Sequence, residues 1–90
     1  MELWLPVEEY SNYELSSDGR VRNSKTGRIL KPQTNDKGYL QVSLSKNNKE
    51  KTFSIHRLVA DTFYDGDHDG LEVNHIDGDK QNNHISNLEF

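Results

Sequence analysis

Asn74 and His75 stand side by side ahead of a polar stretch, Ile76-Asp77-Gly78-Asp79-Lys80-Gln81-Asn82-Asn83, and the chain closes on Asn87-Leu88-Glu89-Phe90. An imidazole titrates near neutral pH, so it can take a proton from an attacking water. The amide oxygen beside it could lie on a divalent cation, which offsets charge on a phosphate and on the leaving oxygen. Together these are the requirements for hydrolysing a phosphodiester, and they make His75 the candidate catalytic base and Asn74 the candidate metal ligand. The intervening loop has to be held in place, and either Asn83 or Asn87 could tie it to the backbone. Asp77, Gly78 and Asn82 are ordinary turn residues that accept left-handed geometry and cap their neighbours. Of the other histidines, His56 reads as a helix-start residue and His84 as a solvated loop residue. His68 sits in an acidic loop, where a raised pKa is expected. There is no cysteine, so a metal would be held by His, Asp, Glu or Asn, a donor set that points to magnesium, manganese or zinc.

These residues have to be positioned by short elements. Tyr13 to Ser16, the turn Ser17-Asp18-Gly19 and Arg20-Val21-Arg22 read as a hairpin. A second turn, Lys25-Thr26-Gly27, leads into Arg28-Ile29-Leu30-Lys31, which Pro32 ends by lacking a backbone donor. The clearest strand follows Asn35-Asp36-Lys37-Gly38, with Leu40, Val42 and Leu44 on one face and Tyr39, Gln41 and Ser43 on the other. That polar face is well placed for a ligand. Lys46-Asn47-Asn48-Lys49 is a turn, and Lys51 to Ile55 is the returning strand with Phe53 and Ile55 inward. From His56 the period changes: Ile55, Leu58, Val59, Thr62 and Phe63 form the stripe of an amphipathic helix ending near Tyr64. After a polar loop, Leu71-Glu72-Val73-Asn74 reads as a short strand running into His75, and Asn87 to Phe90 as its antiparallel partner.

Ninety residues, of which 31% are hydrophobic, suit one small domain of modest stability. No apolar run is long enough to span a bilayer and no basic leader precedes one, so a soluble intracellular protein with no membrane partner is expected. The net charge of −4 hides a segregation along the chain. Residues 1–19 carry five acids and no base, residues 20–57 carry ten bases against Asp36 and Glu50, and residues 58–90 carry eight acids and Lys80. Local potential steers a polyanion more than total charge does, so the basic middle is the candidate DNA-binding surface. Its members are Arg20, Arg22, Lys25, Arg28, Lys31, Lys37, Lys51 and Arg57.

The segment Val73 to Asn83 with Asn87-Leu88-Glu89-Phe90 resembles the first two-thirds of the HNH nuclease motif. Ile55-His56-Arg57-Leu58-Val59-Ala60 with Phe63 is similar to the helix preceding that motif in phage HNH homing endonucleases. Trp4, Tyr13 to Ser16 and Gly19 to Arg22 resemble the NUMOD4 module that those enzymes carry at the N-terminus. The resemblance implies an α+β fold: a NUMOD4-like antiparallel β module over residues 1–55, then an HNH-like segment over 56–90 with one amphipathic helix and an incomplete ββα-metal hairpin.

It also implies a metal-dependent DNA endonuclease that nicks double-stranded DNA, with magnesium or manganese as cofactor, in the cytoplasm of a bacterial host. Asn83 or Asn87 would take the place of the family's structural Asn. Two departures bear on activity. Relatives often have Asp before the catalytic His, and the neutral Asn74 should hold a cation more weakly. The family motif closes with a helix that supplies the last ligand, and nothing follows Phe90, so the chain is expected to be an impaired nuclease with Leu88 and Phe90 partly exposed. The alternative is an inactive HNH-derived phage protein that binds DNA or a nucleic-acid-handling partner, such as a host DNA-targeting defence complex.

Overall fold

A computed structural model of the chain describes residues 2–64 and 70–90, and the expectation for His68 falls outside them. The fold is α+β. Three antiparallel strands, β1 (Trp4–Val7), β2 (Tyr10–Ser16) and β3 (Val21–Asn23), form a first sheet in that order. A second sheet holds β4 (Gln33–Thr34), β5 (Leu40–Lys46) and β6 (Lys49–Ser54). The helix α1 (Ile55–Phe63) follows without a loop, and the chain ends in the pair β7 (Asn74–His75) and β8 (Leu88–Glu89), with a 3-10 turn over Ile85–Asn87 between them.

Local chemistry accounts for most of these boundaries. Asn47 and Asn48 both adopt positive φ, 54° and 63°, the backbone of a two-residue turn whose twist matches its strands. Lys46 and Lys49 therefore pair directly, and β6 begins two residues earlier than the hydrophobic pattern alone suggests. Ile55, expected as the last residue of that strand, opens the helix and is fully buried there. Arg28 to Lys31 form no ladder. Only Ile29 bridges to Arg22, while Leu30 N–H donates to the Val21 carbonyl at 2.8 Å.

One cluster draws its members from both larger sheets, the helix and the last strand: Val7, Leu15, Val21, Val42, Leu44, Ile55, Val59 and Leu88. Burying a Leu or Ile side chain contributes about 1.5–3 kcal/mol, so this cluster is the chief source of cohesion. Two expectations near the C-terminus are corrected by it. Leu88 is only 1% exposed, because β8 lies against α1 and drops Leu88 into the cluster, whereas Phe90 is 39% exposed as expected. Residues 71–73 are not a strand; pairing is confined to Asn74 and His75, since β8 offers only two opposing residues.

Candidate active site

The β7–β8 pair sorts the two candidate site residues by strand alternation. Asn74, opposite Glu89, faces outward, and His75, opposite Leu88, turns inward and is buried. The Asn74 amide donates to Glu89 Oε1 at 3.1 Å. Glu89 was not singled out from the sequence, where it reads as one more strand residue; only the pairing register brings its carboxylate to Asn74.

The two asparagines proposed for the loop divide the work. Asn87 holds the loop: its Oδ1 accepts from the Asp77 backbone N–H at 3.1 Å, and its Nδ2 donates to Asp77 Oδ1 and to the Asn82 carbonyl at 2.9 Å each. Asn83 goes elsewhere. Its Oδ1 lies 2.7 Å from His75 Nε2, and both residues are buried. An amide oxygen can only accept, so Nε2 carries the imidazole proton and Nδ1 keeps a lone pair. Asp77, Gly78 and Asn82 shape the turn. Hydrogen bonds from the Asn82 amide, the Asp79 N–H and the Asn87 amide hold the Asp77 carboxyl below its ordinary range.

His56 lies much closer to this centre than a helix-start residue need do. Its ring centroid is 4.8 Å from that of Tyr39 and 5.1 Å from that of His75, and Tyr39 and His75 stack at 5.8 Å. Its Nδ1 is buried without a hydrogen-bond partner among the described residues. Burial, then the neighbouring His75, then Arg57 push its pKa down. The signal available in the sequence was the helical stripe, which places His56 one residue past the buried Ile55. Lys80 closes the far side, with Nζ donating to the Lys37 carbonyl at 2.8 Å and standing 5.0 Å from the Tyr39 ring centre. His84 caps the 3-10 turn, with Nδ1 accepting from Ser86 N–H at 3.1 Å.

The eight candidate cationic residues do not form one undivided patch. Arg20 is ion-paired with Glu2, whose carboxyl the guanidinium pulls down to about 2. Arg22 pairs with Glu14 at 2.9 Å and lies over the Trp4 ring, and Arg57 pairs with Asp61 at 3.0 Å and donates to the Leu71 carbonyl. The acidic N-terminus thus folds back onto part of the basic segment. Arg28 and Lys31 instead line an open groove of about 600 Å³ together with Gln33, Gln41, Ser43 and Thr52. Lys25 is exposed in the turn before the groove, Lys37 in the turn before β5, and Lys51 on β6 with Nζ 5.3 Å from the Phe53 ring centre. The polar face of β5 therefore does look onto a basic groove.

No helix among the described residues is long and apolar enough to cross a membrane. Nor do the described residues bring three or more His, Cys, Asp or Glu side chains together as a metal-binding group.

Residues 2–45 match the NUMOD4 motif model and residues 54–90 an HNH endonuclease model. The chain is 49% identical over 86 residues to an uncharacterised HNH endonuclease of Acanthamoeba polyphaga mimivirus, aligning 96% of this chain with 26% of that protein. It is 42% identical over 88 residues to the DNA endonuclease I-HmuI of Bacillus phage SP01, covering 97% of this chain and 51% of the relative. A solved structure described as DNA binding and cleavage by the HNH homing endonuclease I-HmuI superposes with a TM-score of 0.88 over 96% of this chain and 50% of that one. The chain thus spans about a quarter to a half of the length of these relatives. It belongs to the HNH endonuclease family, among the members that carry a NUMOD4 motif ahead of the HNH segment.

Proposed function

We propose that this chain binds double-stranded DNA and hydrolyses a phosphodiester in it, with a divalent cation, as the catalytic part of a nicking endonuclease. The observation that carries the reading is the buried 2.7 Å contact between His75 Nε2 and Asn83 Oδ1. With Asn83 Oδ1 as the acceptor, Nε2 carries the proton and Nδ1 is the basic nitrogen. His75 Nδ1 takes a proton from water, the water oxygen bonds to phosphorus, and the bond from phosphorus to the leaving oxygen breaks. Asn83 keeps the ring in place, and Asn87 keeps the loop that carries Asn83.

The donors present suit a hard cation. Asn74 offers an amide oxygen and Glu89, 3.1 Å from its amide nitrogen, offers an anionic one. Magnesium and manganese accept oxygen donors, and magnesium is commonly held by one or two carboxylates with water and phosphate completing its shell. Asn74 and Glu89 would hold the ion, with Glu89 supplying the charge that Asn74 lacks. When bound, the ion offsets charge on the phosphate and on the leaving oxygen. Since the described residues offer few donors, these ninety residues turn over slowly by themselves. A single site cuts one strand per encounter, hence nicking.

The groove beside Arg28 and Lys31 takes the duplex, with phosphates on the cations and polar side chains of β5 and β6 toward the DNA. The endonuclease names of the relatives favour cleavage over an inactive binding protein, and the phage source of I-HmuI supports action in the cytoplasm of a bacterial host. Conversion of supercoiled plasmid to open circle in manganese tests the reading. Nicking should be lost in His75→Ala and in excess chelator, while binding to a short duplex persists. Equal nicking by His75→Ala would show that another group is the base.

A further inference from the structure

The turn between β2 and β3 belongs to the N-terminal module, yet it abuts the residue that holds His75. Gly19 has φ +85°, and a Cβ placed on it would stand 2.7 Å from Asn83 Cβ and 3.0 Å from the Asn83 carbonyl oxygen. Nothing larger than glycine fits at that approach without moving Asn83. On either side the contact is pinned: Ile85 N–H donates to the Ser17 carbonyl at 2.8 Å, and His84 Nε2 lies 3.1 Å from Asp18 Oδ1.

The turn itself is stiff. Ser16 is fully buried, and its hydroxyl accepts from the N–H groups of Asp18 and Arg20 at 3.2 and 3.0 Å. Ser17, also buried, accepts from Leu3 N–H at 3.0 Å through its hydroxyl, and its own N–H donates to the Leu3 carbonyl at 2.8 Å. A turn anchored on two buried, hydrogen-bonded serines is a fixed abutment rather than a passive neighbour.

We infer that Gly19 is a positioning residue: the Ser16–Arg20 turn of the NUMOD4 module seats Asn83, and through it fixes the ring and tautomer of His75. The inference rests on His75 being the base, but the seating itself can be measured without any cleavage. It follows that the module does more than bind, since the catalytic imidazole is aligned only while the module is docked.

A matched control is built into the chain. Gly27 also has positive φ, +75°, but a Cβ there meets nothing within 4 Å. Gly27→Ala therefore carries the backbone penalty of a left-handed site alone, and Gly19→Ala carries the same penalty plus displacement of Asn83. The readout is the ¹⁵N and ¹³C–¹H spectrum of the His75 ring in the ninety-residue chain. The parent and Gly27→Ala should show one tautomer with the proton on Nε2, and Gly19→Ala should show exchange between tautomers.

If Gly19→Ala does not fold, Ile85→Pro serves, because it deletes the N–H that reaches Ser17 at a first-turn position where proline is tolerated. The same loss of a fixed tautomer is expected there. In a nicking assay on the same proteins, Gly19→Ala should lower kcat about a hundredfold, as for a misplacement of about 1 Å, with KM for DNA unchanged. Parent-like His75 resonances in both Gly19→Ala and Ile85→Pro would overturn the inference. A fixed tautomer in a parent that never cleaves would instead count against the proposed activity and leave the seating intact.

Discussion

Asn74 and Glu89 face each other across the β7–β8 pair, and the amide of the first donates to the carboxylate of the second at 3.1 Å. A neutral amide and an anionic carboxylate therefore sit together where relatives of this family often have an Asp. Replacing Asn74 by Asp doubles the formal charge. Manganese affinity, followed by titration calorimetry, should rise about tenfold, since ligand charge count tunes such sites. Glu89→Gln should weaken binding by a similar factor. Unchanged affinity in Glu89→Gln would remove that residue from the ion's shell.

The role of Asn83 separates into acceptor and shape. Asn83→Asp keeps an acceptor for His75 Nε2–H and should retain cleavage, whereas Asn83→Leu leaves a buried donor unmatched and frees the ring. Single-turnover cleavage by Asn83→Leu should fall about a hundredfold, within the range that general-base catalysis supplies, with DNA affinity unaltered. Comparable rates for the two variants would mean that the contact does not set the base.

Asn87 makes three hydrogen bonds to the loop while being 9% exposed. Asn87→Ala should cost about 3 kcal/mol in urea unfolding, since each such bond contributes about 1 kcal/mol. The variant should also change the acid side of the stability curve. Asp77 has its carboxyl lowered in the fold by Asn82, the Asp79 N–H and Asn87, so its contribution is present above the ordinary carboxylate range and is lost as pH falls through the lowered value. Removing Asn87 weakens that dependence, and an identical acid profile in the variant would contradict it.

His56 gives the neutral to mildly acidic part of the pH range its slope. Its folded pKa is lowered by burial, then by His75 and Arg57, so the unfolded chain takes up a proton more readily. Stability is full above the ordinary value of 6.5 and declines as pH drops below it. His56→Phe keeps an aromatic ring against Tyr39 and removes the unpartnered nitrogen. Its melting temperature should be nearly flat across the interval in which the parent's falls.

Ion pairing divides the cationic surface in a way that DNA binding can read. Arg28→Ala with Lys31→Ala should reduce affinity and lower the slope of log K against log salt by about 2, one unit for each phosphate no longer neutralised. Glu2 holds Arg20, so Glu2→Gln frees a cation and should tighten binding. A salt slope equal to the parent's in the double variant would move the DNA away from the groove.

Much of this protein is written in local signals. The alternation of Leu40, Val42 and Leu44, the Asn47-Asn48 turn and the helical stripe from Ile55 to Phe63 each depend on neighbours within a few residues, and each appears where its pattern puts it. Family membership and the choice of Asn74 and His75 rest on ordered short motifs, which are equally local. Charge along the chain was a poorer guide, because the fold lays Glu2 on Arg20 and Glu14 on Arg22, pairs 18 and 8 residues apart. Only the tertiary structure decided that Asn87 ties the loop while Asn83 meets His75, that Glu89 joins Asn74, that His56 closes on the same ring, and that Gly19 leaves room for Asn83. These relations arise from strand register and from packing between distant segments around one core. Nothing in the types or spacing of the residues encodes them, because each contact depends on where the rest of the chain comes to lie.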